Sequence, residues 1–159
     1  MRKEKIQEYT RKISNSNRTE LVVILFDMAH TYLEDAKSAY EKENKEDFKE
    51  QLRNADRVIA NLQEALNYHY EISANLDVLY QFCREQLAES LRKDNIEGLD
   101  RADAILCRLQ KSFEEVAKKD HSGPLMKNTG RVYAGMTYGK HDLNENFQDS
   151  LDASRGFFV

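Results

Sequence analysis

From Met1 to Asp120 the chain has no proline and a single glycine, Gly98, whereas Gly123, Pro124, Gly130, Gly135, Gly139 and Gly156 all follow His121. Glycine supplies the conformation that ends helices and proline cannot continue one, so the first stretch can be helical almost throughout. The break falls at His121-Ser122-Gly123-Pro124. This reads as an N-terminal segment 1–16, a helical domain 17–120 and a C-terminal tail 121–159.

Within the helical domain apolar residues recur at alternating steps of three and four, which keeps them on one stripe of a helix. A first helix is predicted to start at Asn17, with Glu20 placed for a capping box. It carries two stripes, Leu21, Leu25, Met28, Tyr32 and Val22, Phe26, Ala29, Leu33, and so belongs at the centre of the fold. A second helix carries Phe48, Leu52, Ala55, Ile59, Leu62 and Leu66, after the polar turn Glu41 to Asp47. A third carries Ile72, Leu76, Leu79, Cys83 and Leu87 in phase with the second. One helix spanning both would be roughly 70 Å long, too long for a domain of this size, so a tight turn is expected at Asn67 to Tyr70. A fourth helix is expected to open with Asp94 as cap and Glu97 three residues on, and carries Leu99, Ala102, Leu106, Leu109, Phe113 and Val116. The fold class that follows is all-α, an antiparallel four-helix bundle.

The remaining features exclude more than they assign. No apolar run approaches the roughly 18 residues of a membrane span, and the charged start Met1-Arg2-Lys3-Glu4-Lys5 lacks the apolar stretch of a signal peptide, so a cytoplasmic location without membrane insertion is expected. A net charge of −4 gives no reason to expect a nucleic-acid partner. Di-metal bundles use pairs of Glu-x-x-His, and the nearest approach is one Asp27-x-x-His30. His30, His69, His121 and His141 are scattered, which points to no metal and no cofactor. Cys83 and Cys107 sit on apolar stripes, where thiols are usually inert packing, and any Cys-His nucleophile would need a proximity that spacing does not reveal. A hairpin centred on Lys93 to Asn95 would bring the two cysteines, both reduced, to one core layer. Nothing here points to catalysis, and a binding function is expected.

The run Glu71-Ile72-Ser73-Ala74-Asn75-Leu76-Asp77-Val78-Leu79-Tyr80 resembles the Glu-Ile-Ala-x-Asn-Leu-x-x-Leu-Tyr signature that opens the third helix of the FliS family, the flagellin export chaperones. Glu20-Leu21 followed by Leu25-Phe26-Asp27, Arg53-x-x-x-Arg57-x-Ile59-x-x-Leu62 and Tyr9 resemble further pieces of that family in the same order. The resemblance covers roughly Ile6 to Lys118. It departs at Ser16-Asn17-Arg18-Thr19 in place of Thr-Ala-Ser-Pro, at His69-Tyr70 in place of Gly-Gly, and at Phe113 in place of a late tryptophan.

The resemblance implies a chaperone that binds the C-terminal segment of flagellin, prevents early polymerisation and delivers it to the flagellar export apparatus. A disordered client would fold as amphipathic helices on an apolar groove. A regulatory adaptor or a structural helical protein of the same fold is the alternative. Ile72, Asn75, Leu76, Leu79 and Tyr80 are the candidate client-binding residues, serving either as core alone or as core and groove wall. Asn75 could instead fix the turn before its helix. Ile6, Tyr9 and Ile13 offer an apolar edge that, in the family, covers the client site until flagellin displaces it; a frayed end is the other reading. The tail holds Tyr133, Tyr138, Phe147, Phe157 and Phe158, unlike a solvating tail, and Leu143, Phe147 and Leu151 would give it a helical edge that mimics the client.

Overall fold

A computed structural model describes residues 3–126, and the tail edge Leu143, Phe147 and Leu151 lies outside the described residues. Five helices follow in order with no strand among the described residues: α1 (Lys3–Asn15), α2 (Arg18–Glu41), α3 (Lys45–Glu64), α4 (Glu71–Lys93) and α5 (Glu97–Ala117). The chain is all-α, with one helix more than its periodicity predicts. The additional helix is α1, built from the N-terminal segment.

The start of α2 follows from local chemistry. Asn17 Oδ1 accepts from the Glu20 backbone N–H at 2.8 Å, and Glu20 Oε2 accepts from the Asn17 N–H at 2.9 Å. Each satisfies a donor that a helix start would otherwise leave unpaired. From there α2 packs against α1, α3 and α5, while α4 packs against α3 and α5. Three neighbours explain why α2 needs two apolar stripes: Phe26, Ala29 and Leu33 are fully buried, and Leu25, Met28 and Tyr32 are half-buried against the same core. The Phe26 ring meets Tyr80 of α4 and Phe113 of α5 at centroid separations of 6.3 and 5.6 Å. Phe48, Leu52 and Ile59 of α3 and Leu99 and Leu106 of α5 complete this core. Burying each such side chain is worth about 1.5–3 kcal/mol.

The turn between α3 and α4 forms at the expected place without a glycine or a left-handed residue. Asn67 Oδ1 accepts from the His69 N–H at 3.1 Å, and Ser73 Oγ donates to the Asn67 carbonyl at 2.7 Å. An Asn side chain that bonds two residues ahead substitutes for the missing glycine.

The start of α5 differs from expectation. Asp94 is not its cap but the C-cap of α4, at φ 54°, and α5 opens at Glu97 after Ile96 with no side-chain cap bond. The reason is tertiary: the Asp94 carboxylate pairs with Lys45 of α3, at 2.5 Å. Beyond α5 the chain turns back on the first residues of α2. The Asn17 amide donates to the carbonyls of Asp120 and Ser122 at 3.3 and 3.4 Å, Thr19 Oγ1 donates to Asp120 Oδ2 at 2.6 Å, and the Leu125 N–H donates to the Ser16 carbonyl at 3.0 Å.

Candidate functional site

α4 is the helix that carries the ten-residue signature, and its five candidate residues separate by direction. Leu76 is 8% exposed and Tyr80 1%, so both are core. Burial raises the Tyr80 phenol above its usual value, as expected for a hydroxyl in an apolar interior. Ile72 and Asn75 are exposed and Leu79 is half-buried. These three, followed by Phe82, are spaced by three, four and three residues and so share one outer face of α4.

That face is apolar and open. Ile72 is 62% exposed, Val78, one turn beyond Asn75, 68%, and Phe82 is also exposed. Tyr68 and Tyr70, in the turn ahead of α4, are exposed as well. The adjoining side of α5 continues the strip. Arg101 donates to Gln86 at 3.3 Å and the Cys83 thiol points to the Ala102 carbonyl at 3.8 Å, which identifies the side of α5 that meets α4. Ile105, Leu109 and Val116 lie on that same side by helical spacing; the first two are half-buried and Val116 is exposed. Asn75 stands within this apolar strip, and the turn it might have fixed is held by Asn67 and Ser73.

The opposite flank of α4 has a different character. A cleft of about 580 Å³ runs between α3 and α4, with Leu52, Ala60, Leu87 and Ala88 among its apolar residues and Arg53 and Arg57 among its charged ones. Arg84 Nε donates to Asp56 Oδ1 at 2.8 Å and Arg84 Nη1 to Gln63 Oε1 at 3.1 Å, tying α4 to α3 across it. Arg53 and Arg57 carry part of the family resemblance, yet their spacing alone did not mark them as lining a cleft.

The N-terminal edge docks elsewhere than on α4. Tyr9 is 4% exposed, and its hydroxyl donates to Asp27 Oδ2 and meets Thr31 Oγ1, both at 2.9 Å and both on α2. Lys5 donates to Thr31 at 3.2 Å. Burial, reinforced by Asp27, pushes the Tyr9 phenol up to about 12. Ile6 is exposed and Ile13 half-buried, so α1 is held chiefly by one aromatic residue and its polar partners.

The two cysteines are free thiols that point to different neighbours: Cys83 faces the Ala102 carbonyl from α4, and Cys107, on the side of α5 toward α2, meets His30. Spacing could not foresee the meeting of His30 with Cys107, which are 77 residues apart. Among the described residues no helix is long and apolar enough to cross a membrane.

A family model described as Flagellar protein FliS matches residues 1–120, a span that includes all five helices. No curated protein matches the chain.

Proposed function

The chain belongs to the FliS family of flagellar export chaperones, and we propose that it binds the C-terminal segment of flagellin in the cytoplasm, holds it apart from other flagellin and passes it to the export apparatus. The observation that carries this reading is the exposed apolar face of α4, formed by Ile72, Val78 and Phe82 with Leu79 at its base. An apolar strip on a soluble protein is a binding surface or an aggregation hazard, and one that runs along a helix suits an amphipathic client helix. Asn75, in the middle of the strip, supplies an amide that can bond a client backbone.

α1 covers a second surface, on α2, and the client exchanges for it there. A helix held chiefly by one buried tyrosine can be displaced by a client segment that buries more apolar surface there. No chemistry is required of the protein in this role.

The test is co-expression with flagellin of the same cell followed by size exclusion, for the wild type and for an Ile72→Asp/Phe82→Asp variant. The wild type should elute with flagellin, and the variant should elute alone with an unchanged melting temperature. A variant that still carries flagellin would overturn the assignment of the strip.

A further inference from the structure

His30 of α2 lies between two side chains of α5. Its Nε2 stands 2.8 Å from Cys107 Sγ, and its Nδ1 stands 2.5 Å from Asp103 Oδ1. Asp103 and Cys107 are four residues apart and so face α2 together. Lys37, two turns along α2 from His30, pairs with Asp100 at 2.7 Å and lies 3.8 Å from Asp103 Oδ2. The order is thiol, imidazole, carboxylate, in which the base sits against the nucleophile and a carboxylate stands on its far side.

The imidazole bridges its partners, so the three side chains do not converge on one point. This is not the arrangement of a metal site, and no group of three or more potential ligands among the described residues is arranged to hold an ion. Acyl transfer is also a poor fit, because Cys107 lies inside α5, where backbone N–H groups are spent on helix bonds and none is free to hold an oxyanion. What the arrangement can do is remove a proton from a thiol. The Asp103 carboxylate lies on the Nδ1 side of the ring and Cys107 on the Nε2 side; in the tautomer whose lone pair is on Nε2 the imidazole can accept the thiol proton, and the resulting imidazolium stands next to the Asp103 charge. The site is reachable as well, since the side chains of His30 and Asp103 are each 22% exposed and Cys107 is half-buried.

Cys83 provides the contrast within the same molecule. It is fully buried with no imidazole against it, and desolvation pushes its thiol up to about 11. Cys83 thus fits the inert packing that the sequence suggests for both cysteines.

We infer that Cys107 is a modification site, a His30-activated thiol that hydrogen peroxide oxidises to a sulfenic acid. The thiol proton passes to His30 Nε2. The thiolate attacks one peroxide oxygen and forms the S–O bond as the O–O bond breaks. Hydroxide leaves and takes the proton from His30 to become water. Sulfur is oxidised by two electrons and the peroxide is reduced, with peroxide as the only co-reactant. Cys83 is buried on α4 with its thiol against the Ala102 carbonyl, so the sulfenic acid is left to react with a small external thiol.

The experiment treats the full chain with hydrogen peroxide, traps sulfenic acid with dimedone and maps the adduct by mass spectrometry. The adduct is expected on Cys107 and not on Cys83. In parallel, the rate of Cys107 alkylation by iodoacetamide is followed at pH 7. His30 is the side chain that meets the sulfur, so His30→Gln should slow this alkylation several-fold, and Asp103→Asn should slow it less. The dimedone map of the wild type decides the matter even where a variant fails to fold. A dimedone adduct absent from Cys107, or a folded His30→Gln protein whose Cys107 is alkylated as fast as in the wild type, would overturn the inference.

Discussion

A methyl group on Gly98 would stand 2.7 Å from the backbone oxygen of Gln86. The one glycine of the helical domain lies where α5 crosses α4, with Ser90 Oγ also 2.8 Å from that position. Alanine is worth about 1 kcal/mol more than glycine within a helix, but a backbone oxygen cannot swing aside as a long side chain can. Gly98→Ala is therefore expected to destabilise the protein by a net ~1–3 kcal/mol, read as a lower denaturation midpoint with an unchanged slope. Equal or greater stability would show that α5 shifts without cost.

Tyr9 ties α1 to the middle of α2, and little else of α1 is buried. Tyr9→Ala should release α1, at a cost on the order of 2–3 kcal/mol of docking, and leave the other four helices folded. Amide exchange would show protection lost in residues 3–15 and kept in α2–α5. The same variant should bind flagellin more tightly, since the client no longer competes with α1. Retained protection in α1 would mean that other contacts hold it.

The Asp120 carboxylate accepts bonds from Ser122 and Thr19, which hold it down to about 2, below its ordinary value of 3.8. A lowered carboxylate contributes stability above its unfolded value and loses it as pH falls through the folded one. The contact between residues 120–125 and the start of α2 should thus be complete above pH 4 and released toward pH 2. A carbon-detected titration should give an Asp120 midpoint near 2, and Thr19→Val should raise it. A midpoint near 4 in the wild type would contradict the closure.

Leu76 and Ile72 differ by one turn of α4 and should respond in opposite ways to the same charge. Leu76→Asp buries an unpaired carboxylate in the core and is expected to cost roughly 4 kcal/mol or more of stability. Ile72→Asp should change stability by less than about 0.5 kcal/mol while weakening flagellin binding at least ten-fold. Thermal melts paired with a binding titration separate the two. A Leu76→Asp protein as stable as the wild type would remove Leu76 from the core.

The contrast between two similar local motifs shows how far the sequence could be read. Asn17 with Glu20, and Asp94 with Glu97, have the same spacing. The first forms the capping box because the distant carbonyls of Asp120 and Ser122 take the Asn17 Nδ2 and leave Oδ1 to the Glu20 N–H. The second does not, because Lys45, 49 residues distant, takes the Asp94 carboxylate. Periodicity identified α2 to α5 and most of the core, since a stripe is a local property. It could not separate Leu76 from Ile72, because exposure depends on which neighbour runs alongside each turn. The His30–Cys107 meeting and the seat of α1 on α2 are pairings between distant residues, and no local pattern encodes them.

The return of residues 120–125 to Ser16, Asn17 and Thr19 gives synthesis a definite order. Helical hairpins close over short loops and can form as the chain emerges from the ribosome, whereas this contact closes a loop of about a hundred residues. The first helix start to be capped is also the last to be locked. Until Asp120 and Ser122 have emerged, the Asn17 amide has no distant carbonyl to meet, so the nascent protein carries an unfastened junction between α1 and α2 while about a hundred further residues are made.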